Sequence, residues 1–89
     1  MLVSEFGFVD SLGRNIKAER YRRGFSQEKL AEKTGLHRTY IGVIERGEKN
    51  ITIRNCCKIA DALNIRLSDL IRMSEDGVAV SRLSFSPEE

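Results

Sequence analysis

Between Ser26 and Arg46 the chain carries two short amphipathic segments hinged on one glycine, and few folds accommodate that arrangement. Ser26 precedes Gln27-Glu28-Lys29-Leu30-Ala31. A serine oxygen at that point can accept from the free amides of the next turn, and Glu28 sits near the positive end of a helix, so a helix is expected to start at Gln27. It runs to about Thr34 and stops at Gly35, the residue type that closes helices. After Gly35-Leu36, the stretch His37 to Arg46 sets Ile41 and Ile44 three apart on one face. Arg38, Thr39 and Gly42 fall on other faces, which leaves the start of this helix free to project outward. Two short helices joined by a glycine-containing turn, the second displaying polar side chains, form a helix-turn-helix unit.

The flanking sequence supplies more helices. From Ser11 to Arg23, Leu12 and Ile16 open an apolar stripe at helical spacing that continues to Glu19/Arg20, and Gly24 stands where a cap would stand. Glu45 to Asn50 reads as a polar loop with Gly47 as the cap of helix three. Ile53, Cys56, Cys57, Ala60 and Leu63 recur at three- and four-residue steps, so residues 53–63 are expected to form helix four, closed by Asn64. Leu67, Leu70 and Ile71, with Ser68 as a cap, make a short helix five. The expected fold class is therefore all-α, a compact five-helix domain over residues 11–72, with an N-terminal extension over residues 1–10. Phe6, Phe8 and Val9 there either lengthen helix one or pack on another subunit. Ser74-Glu75-Asp76-Gly77 reads as a turn, Val78-Ala79-Val80 as a brief strand, and residues 73–89 as a tail, mobile or ordered by a partner.

Charge is unevenly spread. Residues 14–54 hold eleven Lys or Arg against five Glu, a local excess of +6 in a chain whose net charge is +2. Such a segment suits a polyanion-binding face, although solvated helix surfaces carry similar charge. No apolar run approaches the roughly 18 residues of a membrane span, and the opening residues lack a basic region before Glu5. A cytoplasmic protein with no membrane partner is expected. Adjacent Cys56 and Cys57 are poorly placed for a disulfide, and His37 is the only histidine. No metal or other cofactor is expected, and the cysteines read as reduced, at least one in the core. Without a nucleophile and base on a matching motif, a glycine-rich phosphate loop or a carboxylate pair, an enzyme is not expected.

The run Leu12-Gly13-x-x-Ile16-x-x-x-Arg20-x-x-x-Gly24-Phe25-Ser26-Gln27-Glu28-x-Leu30-Ala31, then Gly35-Leu36-x-Arg38-x-x-Ile41-x-x-Ile44-Glu45-Arg46-Gly47, resembles the lambda-repressor-like helix-turn-helix family, also called the xenobiotic response element family. His37-Arg38-Thr39-Tyr40-Ile41 followed by Ile44-Glu45-Arg46-Gly47-Glu48-Lys49-Asn50-Ile51-Thr52-Ile53 is similar to controller proteins of restriction-modification systems. Those are small dimeric activators and repressors that time expression of an endonuclease relative to its methyltransferase. The resemblance implies a transcriptional regulator that binds a double-stranded DNA operator as a homodimer, with RNA polymerase a further partner. Its rival is an antitoxin, or a helix-turn-helix module that bridges other proteins.

The resemblance also implies roles for particular residues. Gln27, at the amino end of helix two, grips a phosphate, or else is a solvated glutamine. Arg38 and Thr39 open the helix that enters the major groove, where arginine can pair with guanine and threonine can meet a base edge or a thymine methyl. The alternative for Arg38 is a phosphate clamp. Tyr40 approaches the DNA backbone or the operator centre, or packs its ring on helix two. Lys49 and Asn50 contact phosphates or bases, but lysine lacks the arginine fork common in controllers at that position. Arg46 and Arg54 are further phosphate candidates, or solvated. Arg20 and Glu45 match a family ion pair that orients helix three. His37 stands at the N-cap, where the family usually has serine, threonine or aspartate, and a structural role is favoured.

Overall fold

A computed structural model describes the backbone of residues 5–84 and the side chains of residues 7–78. The described chain is five helices: α1 (Glu5–Arg22), α2 (Gln27–Thr34), α3 (Arg38–Glu45), α4 (Ile53–Ala62) and α5 (Leu67–Ser84). The caps lie largely where local chemistry puts them. Ser26 Oγ accepts from the Lys29 N–H at 3.0 Å, and Gly35, at φ 74°, returns its own N–H to Ala31 O. Thr34 ties the turn further, since its hydroxyl donates to Leu30 O at 2.8 Å and accepts from the Leu36 N–H at 3.2 Å. Thr52 caps α4 through the Asn55 N–H, and Asn64 leaves it in the left-handed region at φ 58°. Helix α5 begins at Leu67, so Ser68 lies inside its first turn and is not the expected cap.

Every helix contributes to one core: Leu12 and Ile16 from α1, Leu30 from α2, Ile41 and Ile44 from α3, Cys56 and Ile59 from α4, and Leu70 from α5. Two of the residues expected in helix four's apolar stripe are misplaced. Ile53 is 69% exposed and Cys57 is exposed, while Cys56, Ile59, Ala60 and Leu63 are buried. Ile53 and Cys57 are four apart and share a face beside the buried one; steps of three and four are compatible with either. Ile65, Leu67 and Ile71 are half-buried against the core.

The two terminal helices depart most from expectation. Helix α1 starts at Glu5, ahead of Ser11, and takes in Phe8 and Val9, the lengthened form of the two readings open there; Phe8 packs half-buried on the core. Helix α5 continues to Ser84 through the stretch read as turn and strand. The physical reason is its pairing with α1, the most extensive helix pairing among the described residues. Leu70, Ser74 and Val78 are buried at four-residue steps, so Ser74 extends the helical stripe and does not break it. Its hydroxyl donates to Leu70 O at 2.8 Å and accepts from Asn15 Nδ2 at 3.2 Å. Gly77 serves close approach: a Cβ there would lie 2.4 Å from Ser11 Oγ. Residues 85–89 of the expected tail, and the Phe6 side chain, lie outside the described residues.

A second close approach fixes α3. A Cβ on Gly13 of α1 would stand 2.3 Å from Ile44 O and 2.8 Å from Glu45 O. The absence of a side chain at Gly13 therefore lets α1 meet the last turn of α3 backbone to backbone.

Candidate nucleic-acid interface

The interface is organised around the end of α3 that Gly13 draws in. Arg20 of α1 and Glu45 of α3 form a two-pronged ion pair, Nε to Oε2 at 2.6 Å and Nη2 to Oε1 at 2.9 Å, with side chains only 5% and 2% exposed. Parallel N–H···O bonds of this kind fix direction as well as distance. Hydrogen bonding to Glu45 raises the Arg20 guanidinium above its already high range against the opposing effect of burial. Arg20 also donates from Nη1 to Phe25 O at 2.9 Å, and its guanidinium carbon lies 4.7 Å from the Tyr21 ring centre. The expected pair is therefore present, and it is buried.

Glu45 carries this order to α2. Its Oε1 also accepts from Gln27 Nε2 at 3.0 Å, so three helices meet at one carboxylate. Gly42 leaves room beside it: a Cβ there would lie 3.2 Å from Arg46 Nη1 and 3.7 Å from Gln27 Nε2. Gln27 and Arg46 are thus neighbours over α3. Gln27 is half-buried at the first position of α2, where unpaired backbone amides cluster.

At the opposite end of α3, Arg38 and Thr39 are both exposed in its first turn. His37 caps that turn by accepting the Thr39 N–H on Nδ1 at 3.1 Å, in keeping with the structural reading. Arg38 Nε lies 3.0 Å from Glu28 Oε2 of α2. Tyr40 is half-buried, and its hydroxyl accepts from Asn55 Nδ2 of α4 at 3.0 Å. Arg46 is paired with Glu48, Nε to Oε2 at 2.9 Å, and this holds the Glu48 carboxyl below the usual range. Lys49, Asn50 and Arg54 are exposed, the first two in the loop after α3 and the last in the first turn of α4.

Sequence reasoning missed Glu28, Glu48 and Asn55. Glu28 and Arg38 are ten residues apart across a turn, a separation with no periodic signature. Asn55 and Tyr40 come from different helices and have none either. Among the described residues no group of three His, Cys, Asp or Glu side chains could hold a metal ion. No described helix is long and apolar enough to cross a membrane.

The chain is similar to known proteins. A model of the Helix-turn-helix family matches residues 16–70. Control protein C.SmaI of Serratia marcescens is 45% identical over 60 residues, which span 67% of this chain and 71% of that protein. The crystal structure of the restriction-modification controller protein C.AhdI from Aeromonas hydrophila is similar with a TM-score of 0.68 at 39% identity, covering 70% of this chain and 94% of that one. C.Esp1396I bound to a 25 base pair operator site is similar with a TM-score of 0.73 at 32% identity, covering 81% and 95%.

Proposed function

Because this chain belongs to the helix-turn-helix family, we propose that it is a sequence-specific DNA-binding transcriptional regulator, a controller protein of a restriction-modification system. The observation that carries the reading is the exposed first turn of α3, with Arg38 and Thr39, on a helix anchored by the buried Arg20–Glu45 pair and its Gln27 neighbour. A groove-entering helix must present its side chains in a fixed orientation, and a buried two-pronged ion pair supports that orientation. Operator-bound C.Esp1396I supports DNA as the ligand.

In this reading Arg38 and Thr39 face base edges, and Gln27, Arg46, Lys49, Asn50 and Arg54 face phosphates. Tyr40 positions α3 on α4 beside the backbone. A homodimer belongs to the same proposal, since one helix-turn-helix contacts too little DNA for high specificity and paired units read half-sites about 34 Å apart. Helices α4 and α5 would form the dimer contact, with the uncovered parts of Ile65, Leu67 and Ile71 as its apolar element. A contact with RNA polymerase and a cytoplasmic location go with the function, and no catalysis is assigned. No observation favours the antitoxin or bridging reading.

The test compares Arg38→Ala with Gln27→Ala on a preferred duplex and a scrambled one at fixed salt. Losing a base contact should cost about 1–3 kcal/mol on the preferred duplex and little on the other. Loss of a phosphate contact at Gln27 should weaken both alike. Equal losses for Arg38→Ala on the two duplexes would show that another residue reads the bases.

A further inference from the structure

Helix α3 carries an apolar side chain that the core does not use. Ile41 and Ile44 are buried in the core and Tyr40 packs against it, whereas Val43 is half-buried and lies outside that cluster. Around the helix axis Ile41 and Ile44 mark the inner stripe, and Thr39, Gly42, Val43 and Arg46, at three- and four-residue steps, mark the outer one. Both flanks of the outer stripe are taken. Gln27 of α2 reaches over Gly42, 3.7 Å from where a Cβ would stand, and Tyr40 is tied to Asn55 of α4 at 3.0 Å. Thr39 and Val43 fall between these flanks, the valine one turn behind the exposed threonine. We propose that Val43 is a specificity-determining residue that reads the C5-methyl of thymine in the major groove. This rests on the DNA-binding reading above.

The chemistry of the groove leaves valine one favourable partner. Base edges there present donors and acceptors, and the thymine methyl is the apolar exception. A valine has no hydrogen bond to offer, so against any other edge it displaces water from a polar group and returns nothing. It cannot grip a phosphate either, and it adds nothing to the sequence-independent attraction of the neighbouring cations. Val43 is also fixed in place. Branching at Cβ holds its methyls in one rotamer on a helix, and its carbonyl accepts the Glu48 N–H at 3.1 Å where the chain turns into the following loop. Little freedom is therefore lost on contact. Burying one methyl is worth roughly fourfold in affinity, so the discrimination at this base pair is of that size.

The experiment titrates the full chain and Val43→Ala against the preferred duplex, with each thymine of one half-site replaced in turn by deoxyuridine, which removes the methyl and keeps the base pair. Val43 lies outside the core and alanine is a good helix former; thermal midpoints will verify folding. One replacement should weaken the parent by roughly fourfold and Val43→Ala by less than about 1.5-fold, the mark of two groups in contact. On the unmodified duplex Val43→Ala should bind roughly three- to fivefold weaker, with an unchanged log–log salt slope because no phosphate contact is lost. A valine that only packs within the protein would leave the response to every deoxyuridine as it is in the parent. That outcome, or a parent indifferent to every deoxyuridine, overturns the proposal and leaves the regulator reading standing. A parent protein without preference between the preferred and a scrambled duplex defeats that reading, and this proposal with it.

Discussion

Glu45→Ala is expected to destabilise the fold by about 3–5 kcal/mol, because it strands the Arg20 guanidinium in a buried site. The asymmetry within the pair is informative. Arginine cannot shed its charge at any ordinary pH, so a stranded Arg20 keeps the full desolvation cost, softened only by Phe25 O and the Tyr21 ring. A stranded Glu45 retains the Gln27 amide, which donates directly to its carboxylate. Arg20→Ala should therefore cost less than Glu45→Ala, and the double variant should lie well below the sum of the two, since removing both partners leaves no buried charge alone. Denaturant unfolding of all four proteins measures the coupling. Strict additivity would mean that the pair does not contribute to the folded state.

Gly13→Ala should lower stability by about 2 kcal/mol or more, although alanine in a helix is ordinarily favoured over glycine by up to about 1 kcal/mol. The atoms in the way are the carbonyl oxygens of Ile44 and Glu45, at 2.3 and 2.8 Å from the added carbon. Backbone carbonyls at a helix end cannot rotate aside as a side chain would, so α3 has to withdraw from α1. That movement draws Glu45 away from Arg20, and the cost should couple to the ion pair. For a domain of this size the loss corresponds to a fall in melting temperature of roughly 8–16 °C. An unchanged melting temperature for Gly13→Ala would show that the two helices are not in backbone contact.

Which parts of the molecule were legible in the sequence depends on how far apart the causes lie. Ser26 with Lys29, Gly35 with Ala31, and Ile41 with Ile44 act within a turn or two, and the helix-turn-helix unit follows from them with nearly the observed bounds. Ser74 and Gly77 were misread because small residues that signal a turn are also what a tight helix crossing requires. Only the presence of Ser11 and Asn15 opposite them, some sixty residues away, decides between the two. Ile53 and Cys57 illustrate a narrower ambiguity, since neighbouring helix faces share the same spacing. In the interface, exposed Arg38 and Thr39 were legible from position, and the Arg20–Glu45 pair from family resemblance. The engagement of Arg38 by Glu28, and of Gln27 by Glu45, depends on how two helices are set against each other, which no local pattern records.

The central claim is that the first turn of α3 reads a DNA sequence as part of a symmetric pair. Selection from a random pool of duplexes, followed by titration of the recovered and a scrambled site at physiological salt, tests it most directly. The account predicts a two-fold-symmetric site with half-sites about 34 Å apart, bound on the order of 10³-fold or more tighter than the scrambled duplex. Failure to enrich any sequence, with equal affinity for both duplexes, would contradict it.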